Sequence, residues 1–411
     1  MLAKVRHTEN SVSSAEMIPF DFNVYSSLLL PAFIHGLLFS VLAFRRFKRE
    51  GAWHDLALGL LLTLLSIRLS FWMLGFAGWY DRHDAFTSFM FYFPFNTLAL
   101  IGPCLYFYFI SVTNRDFKPG KKLWPHLVLP GLLLLLCLCK FIFDYALYYP
   151  FPRSEALQYG TRGPLAQLDK TDLVYIVSYT SLIFYLALIL RSFRAYRLYL
   201  GQHFSDTGTI GLEWLQRLLL FTGASVALLL VFYLAGFFMH NIAYITSWYP
   251  YLLLGLVIYY TGVNGYYNSP VLSRQLHFSV APGPETANVA TIPPAQLDAW
   301  KHKLEEVIGR EQLYLRPELT LAELARYLQI NTGVMSRVIN EGYGLNFNEY
   351  INELRIKAVI RKLDEGIHKR LTLMGIAYDC GFNAKTTFNR CFKKVTGLTP
   401  GDYIKTSSLQ D

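Results

Sequence analysis

The chain has 411 residues, 53% of them hydrophobic and 16% charged, with a formal net charge of +9. Soluble domains carry about 25% charged residues, so this composition speaks against an ordinary soluble protein and for apolar segments that meet lipid. The positive charge suits anionic lipid and nucleic acid equally and does not choose between them.

Residues 1–20 lack an apolar h-region and an A-x-A cleavage site, so residues 1–21 read as an external tail and the first apolar stretch as the insertion signal. A helix needs about 20 mostly apolar residues to cross a bilayer. Seven stretches qualify, approximately 22–44, 55–77, 87–112, 123–143, 171–190, 214–238 and 243–263. Pro31, Pro94, Pro103 and Pro130 fall inside them, which membrane helices tolerate better than soluble ones. Loop charge orients the set. Arg45, Arg46, Lys48 and Arg49 follow the first stretch; Arg115, Lys118, Lys121 and Lys122 the third; Arg191, Arg194 and Arg197 the fifth. The alternate loops hold only Arg82, Arg153, Arg162 and Lys170. This bias places the N-terminus outside and the C-terminus in the cytoplasm, with Lys4 and Arg6 in the tail running mildly against it. Trp79-Tyr80, Tyr148-Tyr149 and Trp248-Tyr249 fit interfacial belts or ordinary packing.

Arg68 sits mid-stretch in "TLLSIRLSFWML" with no Asp or Glu in any span core; Asp55, Asp144, Asp172 and Glu213 lie at ends. A charge at that depth is a candidate for sensing a ligand, and must pair with carbonyls, hydroxyls or an amide such as Asn96; a structural role is the competing reading. The missing carboxylates weigh against a proton pump or cation-coupled carrier. Lys140 and Asp144, four apart, read as a local pair, and His35, His126 and His240 as scattered polar groups. The loop over about 144–170 offers a surface for an unknown signal ligand or merely a connection. Cys104, Cys137, Cys139, Cys380 and Cys391 form no C-x-x-C pair or zinc spacing and read as small hydrophobes, so no metal or cofactor is expected.

Residues 264–297, with "APGPETANVATIPP", read as a cytoplasmic linker of roughly 30 Å reach if flexible. Residues 298–411 then hold 17 Lys/Arg against 14 Asp/Glu, a net of +3. "AQLDAWKHKLEEVIGR" repeats apolar residues at helical spacing over only about two heptads, which favours packing onto the tail over dimerisation as a coiled coil. "LTLAELARYLQINTGVMSRVINEGYG" opens on a Thr320/Glu323 capping box, turns at "QIN" with Asn331 as N-cap, and continues as a second helix. A longer helix, "FNEYINELRIKAVIRKLDEG", follows and ends at Gly366. The pattern then repeats as "TLMGIAYDCGF", a turn at Gly381, and "NAKTTFNRCFKK" with Asn383 as the expected N-cap. Phe388, Cys391 and Phe392 face inward. Lys385, Thr386, Asn389 and Arg390 face outward for base edges, Lys393 and Lys394 for phosphates. Helix, tight turn, helix is the arrangement whose second helix enters the major groove.

The stretch "IAYDCGFNAKTTFNRCFKKVTGLTPGDY" resembles the DNA-binding domain of the AraC/XylS family of bacterial transcription regulators. Gly381, Phe382, Phe388, Phe392, Gly397, Pro400 and Tyr403 match the family pattern, as do Arg355 and Ala358 in the linking helix. The resemblance covers about residues 315–405 and implies two helix-turn-helix units on one linking helix, inserted in successive major grooves of double-stranded DNA. It places Thr332, Gly333, Ser336 and Arg337 at the reading positions of the first unit, and Lys385, Thr386, Asn389 and Arg390 at those of the second. Gly333 departs from the larger residue often found there, so the first unit would read little sequence beyond Arg337.

The expected fold is all-α: an external tail (1–21), a seven-helix transmembrane domain (22–263), a linker (264–297) and a small domain with two helix-turn-helix units (298–411). The expected function is a membrane-anchored, sequence-specific transcription regulator whose apolar domain senses a signal. Its partners would be promoter DNA and the lipid bilayer, with RNA polymerase and a second copy of the chain as further candidates. No Walker loop, G-x-S-x-G or H-E-x-x-H motif supports an enzyme, and no catalytic residue is assigned. The alternative is a membrane receptor or carrier whose helical tail recruits a protein instead of DNA.

Overall fold

The computed structural model describes residues 22–79, 90, 92–148, 165, 173–208, 210–239, 246, 248–272, 276, 278 and 293–407. The expected tail, nearly all of the 149–170 loop, Tyr80, Arg82, Tyr149, Asp172, His240 and the middle of the expected linker lie outside the described residues. The chain forms two compact units: residues 1–189 with 214–274, and residues 190–213 with 275–411.

Among the described residues, seven α-helices run through the first part of the chain: α1 (Val24–Glu50), α2 (Trp53–Phe76), α3 (Leu98–Thr113), α4 (Trp124–Phe141), α5 (Leu173–His203), α6 (Glu213–Met239) and α7 (Trp248–Leu272). A π-helical turn, Ile142–Tyr148, extends α4. Asn23 and Ser26 cap α1 reciprocally, and Gly51 ends it with φ 70. In the first unit α2 packs against α1, α3 and α7. It is apolar all round and buries Leu58, Leu61, Leu62, Leu65 and Leu69. α1 and α4, by contrast, leave Leu28, Ile34, Leu38, Leu132, Leu135 and Leu138 exposed. Small and hydroxylated residues set the close approach of α1 to α2: Ser40 Oγ donates to Gly59 O at 2.9 Å and lies 2.7 Å from Thr63 Oγ1. A Cβ on Gly36 would overlap the Ser66 hydroxyl and crowd Ile258 Cγ2, so a larger residue at that crossing requires those side chains to shift.

Among the described residues, five helices are long and apolar enough to cross a membrane: Val24–Glu50, Trp53–Phe76, Lys121–Asp144, Leu173–His203 and Glu213–Phe232. α3 departs from the expected third span. Residues 92–97, around Pro94, are not helical, and α3 has 16 residues, about 24 Å at 1.5 Å per residue against a hydrocarbon core of roughly 30 Å. α7 begins later than expected and continues to Leu272, past the expected linker boundary. α5 runs on to His203, well beyond the expected end at 190. Arg46 and Asp55, read as a loop charge and a span end, form a buried ion pair, with Arg46 Nη1 donating to Tyr266 O at 2.6 Å and the guanidinium 4.1 Å from the Tyr266 ring centroid. Asp144 is buried and accepts from Tyr92 Oη at 3.2 Å and from the Leu165 N–H at 2.9 Å.

Among the described residues, the second unit contains the end of α5 and seven further α-helices: α8 (Pro294–Glu311), α9 (Leu321–Tyr327), α10 (Thr332–Tyr343), α11 (Phe347–Asp364), α12 (Leu373–Asp379), α13 (Lys385–Thr396) and α14 (Pro400–Ser407). One core joins Leu304, Ile308, Leu324, Met335, Ile339, Phe347, Ile351, Val359, Ile376, Phe388 and Phe392. α8 packs on α10, as expected: Tyr343 Oη donates to Glu305 Oε1 at 2.9 Å and Lys301 Nζ lies 5.1 Å from the Tyr343 ring centroid.

Candidate nucleic-acid interface

Each helix pair of the second unit is shaped by its caps and by one left-handed turn residue. Thr320 Oγ1 accepts from the Glu323 N–H and Glu323 Oε2 accepts from the Thr320 N–H, closing the expected capping box on α9. Gln329 turns the chain with φ 55, and Asn331 Oδ1 caps α10 by accepting from the Gly333 N–H at 2.6 Å. In the second pair Thr372 caps α12 and Gly381 makes the turn with φ 89. A Cβ on Gly381 would lie 2.8 Å from Leu315 O, 2.9 Å from Tyr314 O and 3.0 Å from Arg355 Nε, so glycine is required for both its backbone angle and its space. Asn383 is not the N-cap: Ala384 holds that position without a side-chain hydrogen bond, and Asn383 Nδ2 donates instead to Asp206 Oδ2 at 2.9 Å.

α13 is the more open of the two expected reading helices. Phe388 and Phe392 are buried, and Phe382, Phe388, Phe392 and Tyr403 form a row of edge-to-face rings with centroid distances of 5.5, 5.6 and 5.5 Å. That row fixes the helix's rotation. Lys385, Thr386, Asn389, Arg390, Lys393 and Lys394 are all exposed on it. Lys394 Nζ reaches Glu349 Oε1 at 2.6 Å, and this hydrogen bond, ahead of the Asn346 N–H contact, holds the Glu349 carboxyl below its ordinary value. On α10 the expected residues Thr332, Gly333, Ser336 and Arg337 are half-buried; Arg337 Nε donates to Glu341 Oε1 at 2.9 Å and Ser336 Oγ accepts from Asn340 Nδ2 at 3.3 Å.

The linking helix α11 is anchored by Arg355, 1% exposed. Its Nε donates to Tyr314 O at 2.7 Å, its Nη1 to Ser205 O at 3.5 Å and Asn352 Oδ1 at 3.3 Å, and its Nη2 to Arg316 O at 2.8 Å, Pro317 O at 3.2 Å and Ser205 Oγ at 3.1 Å. Burial lowers its pKa to about 10, with Asp206 pulling the other way, so the group stays charged at neutral pH. Carbonyl dipoles, with no carboxylate among its hydrogen bonds, therefore balance a fully buried cation. Ser205 is buried too. Its N–H donates to Leu319 O at 3.1 Å, and its carbonyl accepts from Asn348 Nδ2 at 2.8 Å and Asn352 Nδ2 at 3.4 Å. Phe204 and Thr320 form an antiparallel bridge. The sequence gives no sign of this docking, because a single serine more than a hundred residues upstream carries no periodicity or motif.

The sensing candidates Arg68 and Asn96 lie in the first unit, on one cavity of about 190 Å³. Arg68 bonds a hydroxyl, donating from Nη2 to Tyr251 Oη at 2.9 Å, instead of the amide of Asn96. Among the described residues, no cluster of His, Cys, Asp and Glu could hold a metal ion.

Residues 324–406 match the family model described as a helix-turn-helix domain. An uncharacterized HTH-type transcriptional regulator, YtdP, of Bacillus subtilis (strain 168) is 33% identical over 113 residues, covering 26% of this chain and 14% of the relative. Two uncharacterized HTH-type transcriptional regulators of Staphylococcus aureus (strains COL and MSSA476) are each 31% identical over 101 residues, covering 25% of this chain and 13% of the relative. The chain thus spans about a seventh of the length of the curated relatives it matches. No solved structure matches. The capped helix pairs, the linking helix and the family match together identify residues 324–406 as a helix-turn-helix domain of the AraC type.

Proposed function

We propose that the chain is a membrane-anchored, sequence-specific DNA-binding transcription regulator whose apolar unit acts as the signal sensor. The observation that carries the DNA reading is the face of α13, where Lys385, Thr386, Asn389 and Arg390 stand exposed over a locked aromatic row. Arg and Lys pair with guanine edges, Asn with adenine, and Thr meets the thymine methyl. The relatives are named as transcriptional regulators, which supports the same reading. Membrane anchoring is supported by the five long apolar helices among the described residues, and the loop charges support a helix-turn-helix domain on the cytoplasmic side. The second reading helix, α13, would dominate recognition, since Arg337 on α10 is half-buried and held by Glu341.

The test is selection from random DNA on the full chain in lipid nanodiscs at physiological salt. An enriched site with two elements about one helical turn apart is expected. Lys385→Ala/Arg390→Ala is expected to lower affinity for it at least tenfold, since a base contact contributes about 1–3 kcal/mol. Lys393→Ala is expected to weaken all sequences alike and reduce the salt slope by about one. Sequence-blind binding, or a double variant that binds the selected site like the parent, would favour a tail that recruits protein.

A further inference from the structure

The cavity holding Arg68 is bounded by residues of α2, α3, α4 and α5 in the first unit. Phe71, Phe95, Leu100, Leu133 and Val174 give it apolar walls. Into it are set two cationic side chains, Arg68 and Lys140, and one amide, Asn96. Arg68 is 4% exposed. Its Nη2 is engaged by Tyr251, and its guanidinium carbon stands 5.6 and 5.8 Å from the ring centroids of Tyr251 and Tyr175. Its Nε is buried with no hydrogen-bond partner among the described residues, and so is Asn96 Oδ1. Tyrosine hydroxyls and ring faces ease the charge but do not neutralise it.

A buried donor left without an acceptor costs about 1–3 kcal/mol, more when it is charged. An oxyanion placed in the cavity supplies both the acceptor and the countercharge. Asn96 completes the pair, because the two ends of its amide are interchangeable and its N–H₂ can face a second oxygen. The apolar walls exclude a small hydrated anion in favour of one carried on a hydrophobic body.

We propose that this cavity binds an amphiphile with a single anionic head, seated on Arg68 Nε and Asn96, and an apolar body along Phe95, Leu100 and Leu133. In naming the chemical class of the signal it rests on the sensor reading above, so binding is measured apart from DNA recognition. The full chain in phosphatidylcholine nanodiscs is titrated with octanoate and, as its neutral counterpart, octanol. Saturable octanoate binding at least tenfold tighter than octanol is expected, and Arg68→Gln is expected to remove the preference. Ala99→Leu, which fills the cavity and keeps its charges, is expected to weaken octanoate at least tenfold. It carries the test if Arg68→Gln does not fold. Equal binding of octanoate and octanol, no saturable octanoate binding, or a preference that survives Arg68→Gln would overturn the proposal. Phosphatidylglycerol in the nanodisc separates two sources of the same chemistry: competition with octanoate assigns the anion to the bilayer, and its absence to a free amphiphile. Octanoate binding without any change in DNA affinity keeps the site and removes the sensor role. Loss of octanoate binding alone leaves the regulator reading intact.

Discussion

At the scale of single residues, the two turns inside the helix pairs are a matched contrast. Gly381 and Gln329 both hold the left-handed backbone, with φ 89 and 55, but only Gly381 is also hemmed in by two carbonyls. A left-handed non-glycine residue is destabilised by about 1–2 kcal/mol, and the contacts at 2.8 and 2.9 Å add to that. Gly381→Ala is therefore expected to destabilise the second unit by about 2–4 kcal/mol, whereas Gln329→Gly is expected to stabilise it by about 0.5–1 kcal/mol. Thermal unfolding followed by circular dichroism reads both. A Gly381→Ala protein that melts with the parent would contradict the turn geometry. Gly381 was legible in the sequence because a turn glycine between two apolar helical patterns is a local signal. Arg355 was visible only as a matched position, and the sequence carries nothing that says its partners include four backbone carbonyls and a distant serine hydroxyl.

Among elements, the linking helix α11 is the frame on which both pairs are mounted, and Glu349 at its start performs two tasks. It closes the α11 capping box with Asn346 and receives Lys394 from α13. The sequence reading placed Lys394 toward phosphate; the structure ties it to Glu349, leaving Lys393 as the better phosphate candidate on that turn. Glu349's depressed pKa gives a signed prediction. Stability from the pair is present above the ordinary carboxylate pKa and is lost as the pH falls through the depressed one. In Lys394→Ala the Glu349 carboxyl is expected to titrate back in the ordinary range by NMR. The stability difference from the parent is expected to vanish at acid pH. Unchanged titration in the variant would mean that the N-cap, not Lys394, holds the carboxyl down. Helix positions in this unit followed the apolar spacing closely, since caps and periodicity are local. The Asn383 cap failed for a non-local reason: its amide is drawn to Asp206, on a segment the sequence reading had assigned to a different domain.

For the whole molecule, the apolar stretches located the helices of the first unit but not their ends. Hydropathy does not register that Pro94 delays α3, that α5 continues past its apolar run, or that Arg46 turns inward to Asp55. The charge bias of the loops predicts a definite topology. Alkaline phosphatase is expected to be active when fused within residues 150–165 and silent when fused after Lys122, Arg197 or Ser407. The opposite pattern at 150–165 and Arg197 would invert the fold in the membrane and put the helix-turn-helix domain on the wrong side for DNA.

The second unit is assembled from two separate stretches of chain, residues 190–213 and 275–411. A protease that cuts between residues 279 and 292 would therefore not liberate a complete second unit. The fragment carrying α8 to α14 would stay held by Ser205 in the Arg355 pocket, and on leaving would abandon two acceptors of a buried guanidinium. The same holds for gene fusion: a recombination that joins residues 298–411 to a foreign domain transfers the helix-turn-helix pairs without the piece that completes their frame. Inheritance of this unit is expected to be all or nothing, with α5 and the helix-turn-helix domain changing hands together.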